Sequence, residues 1–203
     1  MNAWLDQIAW SFDIPILDWI ASFIKCAFLD VIMPVFTQFG DAPCCIIVAI
    51  LLLLIPKTRR YGVAYGLGLG LGVIICNVFI KNIFHRTRPY DLIETEGRHV
   101  ELLVKRLYDY SLPSGHTNAF CALATTVYFF DWKWGIVASL GALSIAFSRL
   151  YLYMHYPTDV FCGMLAGVGA GIIGALLSKK VYPYVEKFFA FLKEKWEKRK
   201  KKA

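Results

Sequence analysis

Residues 158–178 read TDVFCGMLAGVGAGIIGALLS, an apolar run in which Asp159 is the one charged side chain. A helix needs about 20 apolar residues to cross the roughly 30 Å hydrocarbon core of a bilayer. Gly163, Gly167 and Gly171 recur every four residues in this run, a spacing that lets neighbouring membrane helices pack closely. The stretch therefore predicts a transmembrane helix packed against other helices.

Other apolar runs extend this prediction to most of the chain. Four are comparable in length, at residues 42–56, 61–80, 115–130 and 135–153. A sixth, residues 14–39, contains three charged side chains and Pro34, so whether it forms a full span stays open. Hydrophobic residues make up 58% of the 203 residues, against roughly 45–50% in soluble domains. We therefore expect an all-α fold, a polytopic membrane helical bundle of about six transmembrane helices, with residues 1–180 as a single domain.

The formal net charge of +7 is concentrated at the C-terminal end. Residues 179–203 contain ten Lys/Arg and three Asp/Glu, whereas the charges of the preceding residues cancel. Residues 181–203 also carry apolar side chains at helical spacing, which predicts an amphipathic tail with its basic face against anionic headgroups. This location favours membrane anchorage over nucleic acid binding.

Basic residues also predict the orientation in the membrane. Residues 57–60 read KTRR and are separated from the basic tail by an even number of expected spans. The positive-inside rule then puts both in the cytoplasm. The loop at 81–114 and the junction at 149–159 are expected on the extracytoplasmic face.

The first of three polar clusters is residues 81–89, KNIFHRTRP. Lys81 and Arg88 are seven residues apart, almost two helical turns, so they project from one face of a helix. Two cations on one face suit a phosphate, although an ordinary basic flank of a membrane span has the same composition. We interpret His85 and Arg86 between them as such flank residues.

The second cluster, residues 113–117, reads PSGHT and precedes an apolar run. Proline, serine and glycine are typical of a helix N-terminus, whose free backbone N–H groups can approach an anion closely. His116 would lie beside that anion. A simple helix cap with an incidental histidine explains the same residues.

The third cluster, residues 148–159, reads SRLYLYMHYPTD. Pro157 fits the first turn of a helix, which brings Asp159 near enough to His155 to accept its Nδ1–H. A carboxylate in that position fixes the imidazole tautomer and leaves Nε2 free to attack. A His–Asp pair in a loop is often only structural, so this cluster is interpreted together with the other two.

Together the clusters supply cations, oriented N–H groups, a nucleophile and an acid, as phosphoryl transfer requires. Residues 81–159 resemble the three signature motifs of the type 2 phosphatidic acid phosphatase superfamily, which also includes vanadium haloperoxidases and bacterial acid phosphatases. Each signature position is filled at the family's internal spacing. Outside residues 81–159 the sequence adds only a compatible membrane topology.

The resemblance implies a phosphatase that works without a metal or other cofactor. His155 is expected to attack phosphorus and form a phosphohistidine, while Asp159 orients it. His116 is expected to protonate the leaving oxygen and then to activate water. The residues expected to hold the phosphoryl oxygens are Lys81, Arg88, Ser114, Gly115 and Arg149.

The motifs recognise a phosphate and do not identify the lipid that carries it. We expect a phospholipid or isoprenoid phosphate or diphosphate, of the undecaprenyl diphosphate, phosphatidic acid or phosphatidylglycerol phosphate type. A lipid phosphotransferase would use the same phosphohistidine, and a non-catalytic anion-binding or lipid-binding membrane protein would need only the cations. The oligomeric state stays open. In the loop, apolar residues at helical spacing from Val100 to Leu107 predict a short surface helix that admits lipid laterally.

Overall fold

The computed structural model describes residues 3–201, whose regular structure is helical throughout. The N-terminal helices are α1 (Ala3–Ile8), a π-helical turn (Ala9–Asp13), α2 (Ile14–Phe23), α3 (Ala27–Gln38) and α4 (Ala42–Leu54). They are followed by α5 (Arg59–Val73), a second π-helical segment (Ile74–Ile80), α6 (Lys81–Phe84) and α7 (Pro89–Glu94). After an irregular loop come α8 (Gly115–Phe130), α9 (Trp132–Tyr151) and α10 (Pro157–Lys200).

The prediction of an all-helical membrane protein is confirmed. The predicted count of six spans is not confirmed, because fewer helices are both long enough and apolar enough to cross a bilayer. Three helical stretches are long and apolar enough to cross a bilayer: Arg59–Glu94, Trp132–Tyr151 and Pro157–Lys200. Ala27–Gln38 and Ala42–Leu54, bent by 58°, bring the number to four if they form one broken span. The run at 14–39 is not one helix, because it is interrupted between α2 and α3. Helix α8 has only 16 residues.

Capping residues fix where the helices near the polar clusters begin. Ser114 is the N-cap of α8 and accepts a hydrogen bond from the backbone N–H of Thr117. Pro157 occupies the first turn of α10, and the Asp159 side chain accepts from the backbone N–H of Tyr156. Such caps satisfy the N–H groups that have no partner within the helix. The second and third clusters therefore lie at helix starts, as their prolines predicted.

Helices α8 and α10 pack backbone against backbone. A Cβ atom on Gly163 would lie 2.6 Å from the carbonyl oxygen of Ser114, and one on Gly167 would lie 2.4 Å from that of Asn118. Because only glycine fits at these contacts, the small-residue spacing has the packing role that the sequence predicted. This contact holds the start of α10 beside the start of α8.

The tail is helical and continuous with α10, which contains Pro183 and runs to Lys200. Arg59, at the start of α5, binds it through an ion pair to Glu186 at 2.9 Å. The Arg59 guanidinium also lies 3.8 Å from the centroid of the Phe189 ring. These contacts fix the first part of the tail against the α4–α5 turn.

The short surface helix predicted around residues 100–107 is wrong, because the loop before α8 is irregular there. Its apolar side chains are not one face of a helix. Val100 packs against one buried cluster, and Leu103, Val104 and Leu107 pack against another that includes Tyr151 and Met154. The loop is therefore held against the bundle by its apolar residues.

Candidate active site

The three polar clusters meet at one end of a large cavity. The cavity has a volume of about 740 Å³, and its polar end is lined by Lys81, Arg88, Asp109, His116 and His155. These residues come from α6, the turn before α7, the loop, the first turn of α8 and the α9–α10 junction. The fold thus brings together residues that are up to 74 positions apart in the sequence.

His155 is buried and has its two ring nitrogens in different surroundings. Nδ1 lies 3.5 Å from Asp159 Oδ2, and Nε2 lies 3.4 Å from Arg88 Nη1. Because a guanidinium only donates, Nε2 is the unprotonated nitrogen and Nδ1 carries the hydrogen. Burial lowers the pKa of His155 well below its ordinary value, and the charges of Arg88, Arg149 and Lys81 act in the same direction. The imidazole is therefore neutral, and its unprotonated Nε2 faces Arg88 at the cavity.

Asp159 is buried beside His155 and accepts hydrogen bonds from three different parts of the chain. Arg86 Nη1 donates to Oδ1 at 2.6 Å, and the backbone N–H of Tyr156 donates to Oδ2 at 3.0 Å. Ser111 Oγ also donates to Oδ2. The carboxylate is therefore held in one orientation.

Lys81 and Arg88 lie close together and share one carboxylate, that of Asp109. Lys81 Nζ contacts Oδ2, and Arg88 Nη2 donates to Oδ1 at 2.6 Å. Partial burial raises the pKa of Asp109, but the hydrogen bond from Lys81 and the charge of Arg88 outweigh it and bring the pKa to about 2. The Asp109 carboxylate thus lies between Lys81 and Arg88, the two cations that the sequence predicts to bind phosphate.

Arg149 is buried and does not share the Asp109 contact. Its Nη1 donates to Thr37 Oγ1 at 2.7 Å, whereas Nε and Nη2 have no hydrogen-bond partner among residues 3–201. Arg149 and His116 line a second cavity of about 440 Å³ that adjoins the first. Two buried donors are therefore available to an anion.

Gly115 lines the large cavity, whereas Ser114 is not among its lining residues. The Ser114 hydroxyl is buried and accepts from Thr117 Oγ1 at 2.9 Å. Gly115 lines the large cavity at the first helical position of α8. The end of α8 thus presents backbone N–H groups, while the serine hydroxyl serves the cap.

Several residues at the site were not found from the sequence. Asp41, in the break between α3 and α4, lies with Oδ1 2.9 Å from His116 Nε2. Asp109 and Ser111 come from the loop, and Asp13 contacts Arg86 from the N-terminal region. Arg86 was interpreted as a flank residue, yet it is buried. The sequence feature that could have identified them is a charged residue within an apolar region, as at Asp13. Burying such a charge costs free energy, so charged residues in these regions tend to be functional.

The sequence profile of the PAP2 superfamily matches residues 61–183, more than half of the chain. The chain belongs to the PAP2 superfamily. The resemblance predicted from the three motifs is therefore confirmed, and the matched region contains all eight of the predicted site residues.

Two curated PAP2 relatives carry the name undecaprenyl-diphosphatase. The protein of Sulfolobus acidocaldarius is 29% identical over 142 residues, 70% of this chain and 66% of that protein. BcrC of Bacillus subtilis is 25% identical over 158 residues, 78% of this chain and 79% of that protein. The names support a phosphate ester hydrolase.

A solved structure has the same fold. The crystal structure of Aquifex aeolicus LpxE is similar with a TM-score of 0.71 and 27% identity, over 81% of this chain and 94% of that one. The similarity therefore extends beyond the three motifs to the helical bundle that carries them.

Proposed function

We propose that this PAP2 protein is an integral membrane phosphatase that removes the terminal phosphate of an isoprenoid diphosphate lipid through a phosphohistidine. The observation that carries the proposal is the shape of the large cavity, which joins the polar cluster to an apolar groove. The names of the two relatives support the same substrate class. Phosphatidic acid and phosphatidylglycerol phosphate contain the same phosphate chemistry and are the alternative substrates to test.

The groove runs between α4 and α5. Its apolar walls include Ile46, Ile50 and Leu53 from α4, and it extends along α5 as far as Gly62. The nineteen residue steps from Gly62 to Lys81 correspond to roughly 28 Å at the rise of an α-helix, close to the thickness of the hydrocarbon core of about 30 Å. Such a groove suits one long, thin hydrocarbon chain whose phosphate end lies at His155.

The proposed reaction begins with attack of His155 Nε2 on the terminal phosphorus. A nitrogen–phosphorus bond forms and the bond to the leaving oxygen breaks, while His116, protonated on both ring nitrogens once the phosphate dianion is bound beside it, donates one of these protons to that oxygen. Asp159 accepts the Nδ1–H of the imidazole and stabilises its positive charge. The phosphoryl oxygens are held by Lys81, Arg88, Arg149 and the N–H groups at Gly115. When substrate binds, Lys81 and Arg88 therefore release the Asp109 carboxylate and contact the phosphate instead.

The second half of the reaction releases phosphate. His116, now without its proton, takes one from a water molecule, which attacks phosphorus as the nitrogen–phosphorus bond breaks. Inorganic phosphate and neutral His155 result. Because the chain's own residues carry every step, we expect activity to be insensitive to chelators.

The proposal includes an arrangement in the membrane. The chain crosses the bilayer several times, with residues 1–180 as the catalytic unit. The polar cluster faces the extracytoplasmic side, and the KTRR turn and the tail of residues 181–203 lie in the cytoplasm. Basic residues in the tail would contact anionic headgroups.

The test is a turnover panel with purified protein in detergent micelles. The substrates are undecaprenyl diphosphate, phosphatidic acid, phosphatidylglycerol phosphate and p-nitrophenyl phosphate, each with and without EDTA. We expect undecaprenyl diphosphate to have the highest kcat/KM and phosphate to appear as the free ion. H155Q is expected to fold and to lose turnover. Full activity of H155Q, or a strict requirement for added Mg²⁺, would refute the mechanism.

A further inference from the structure

Arg86 joins two buried carboxylates from distant parts of the chain. Its Nη1 donates to Asp159 Oδ1 and its Nη2 donates to Asp13 Oδ2, both at 2.6 Å. The three side chains are at most 2% exposed. Buried charges are tolerated where they are paired and hydrogen-bonded. These residues form one unit, the Asp13–Arg86–Asp159 network.

Asp13 also holds the backbone next to Asp159. Its Oδ1 accepts from the Thr158 backbone N–H at 3.0 Å, and its Oδ2 accepts from Thr158 Oγ1 at 2.8 Å. The Arg86 guanidinium lies over the ring of Tyr156, 3.9 Å from its centroid. These contacts hold Tyr156 and Thr158, which precede Asp159, and so fix the start of α10 where Asp159 faces His155.

The network has two carboxylates and one guanidinium, which leaves one net negative charge beside His155. When His155 bonds to phosphorus, its ring becomes cationic with the hydrogen on Nδ1, 3.5 Å from Asp159. A fixed negative charge at that point stabilises the developing cation. If Asp13 lost its charge, Arg86 would neutralise Asp159 one to one and the net charge would be removed.

We propose that Asp13 and Arg86 are positioning residues for phosphoryl transfer, which act on His155 through Asp159. Neither is among the described residues that line the large cavity, so neither is expected to touch the substrate. Asp13 also lies outside residues 61–183, which match the family profile. The inference rests on the proposed function.

The test compares D13N with D18N. Asp18 is the control because it also lies near the N-terminus, pairs with an arginine (Arg98, 2.8 Å) and accepts a hydrogen bond from Tyr153 at 2.8 Å, although its side chain is 39% exposed. It does not contact Asp159. We expect D13N to lower kcat by about tenfold or more, with KM within about twofold, since the lost interaction strengthens in the transition state. Rapid-quench formation of phosphohistidine should slow by the same factor, and D18N should leave both unchanged.

R86K provides a second measurement. Lysine keeps the charge but lacks the planar fork that binds two carboxylates at once. We expect R86K to lower kcat like D13N, and the D13N/R86K double variant to lose little more than the worse single variant, since residues of one network are non-additive. Thermal unfolding in detergent establishes that each variant is folded.

Two results would overturn the inference: folded D13N with the kcat and phosphohistidine rate of the wild type, or D13N and R86K effects on kcat that simply multiply. If D13N does not fold, R86K alone decides, and wild-type kcat in folded R86K overturns the inference. A wild-type protein that forms no phosphohistidine with any substrate refutes the proposed function instead. The two failures are therefore distinguishable.

Discussion

Asp41 Oδ1 lies 2.9 Å from His116 Nε2, which ties the proposed general acid to the break between α3 and α4. A carboxylate only accepts, so Nε2 carries the hydrogen in this pair. In the proposed reaction this nitrogen donates to the leaving group, so Asp41 is expected to keep the proton on it.

The first prediction concerns this pair. D41N should slow hydrolysis of phosphatidic acid by about tenfold, because an alcohol leaving group depends on the acid. Hydrolysis of p-nitrophenyl phosphate should change by less than about twofold, since nitrophenolate leaves without a proton. The measurement is kcat for the two substrates with each protein. An equal loss on both would show that Asp41 has another role.

The second prediction concerns Asp109, which contacts both Lys81 and Arg88. With a pKa of about 2, it is an anion at every working pH, and in the proposed reaction it competes with phosphate for these cations. D109N should therefore lower the inhibition constant for inorganic phosphate, by about tenfold if one ion contact is released. E101Q, which removes an exposed charge from the same loop, is the control. Unchanged phosphate inhibition in D109N would contradict the competition.

The third prediction concerns stability and pH. Because burial lowers the pKa of His155, the unfolded chain takes up a proton near pH 6.5 that the folded protein does not. Stability should therefore fall as the pH drops below about 6.5. His155 contributes up to about 1.4 kcal/mol per pH unit, and His116, whose pKa burial lowers to about 2, contributes in the same direction. The measurement is the Tm in detergent at pH 7.5 and 5.5. The decrease should be smaller in H155Q than in the wild type.

H99Q is the control for this experiment, since the His99 side chain is 79% exposed. Its Tm should depend on pH as in the wild type. If H155Q and the wild type lost stability in parallel, His155 would not be the group that stays neutral.

The fourth prediction concerns the groove between α4 and α5. A Cβ on Gly66 meets no atom within 4 Å, so G66L should fold while its side chain fills the groove about 22 Å along the helix from Lys81. The kcat/KM for undecaprenyl diphosphate should fall by about tenfold, whereas a diphosphate with a chain too short to reach Gly66 should be hydrolysed normally. G169L is the control, because Gly169 is equally open but belongs to α10. Equal effects of G66L on both substrates would refute the groove as the tail site.

The sequence predicted contacts within a motif better than contacts between distant parts of the chain. His155 and Asp159 are four residues apart, and Pro157 between them starts α10, so local geometry brought them together. The partners of these residues were missed because Asp13, Asp41 and Asp109 reach the site only through tertiary packing. No helical periodicity or local spacing relates Asp13 to Asp159.

Periodicity failed in the loop for a related reason. Val100, Leu103 and Leu107 have the spacing of a helix face, but each packs into a buried cluster between other elements. These apolar residues are therefore buried by tertiary packing and do not form the surface helix that their spacing predicted. The count of about six spans is not confirmed: by length and composition three helical stretches could cross a bilayer, or four if α3 and α4, bent by 58°, form one broken span.

The close approach of α8 and α10 restricts how the site can admit a bulky lipid. At Gly163 and Gly167 the backbone of α10 lies directly against the backbone of α8. The side of the site formed by α8 and α10 is therefore rigid. A lipid that enters laterally has to do so on the α4 side of the groove. Gly40, next to Asp41, packs directly on the His116 ring, where a Cβ would lie 2.6 Å from Cδ2. Displacement of α4 by an arriving lipid chain would move Gly40 and Asp41 against the His116 ring, so entry of the lipid and the position of the proposed acid are coupled.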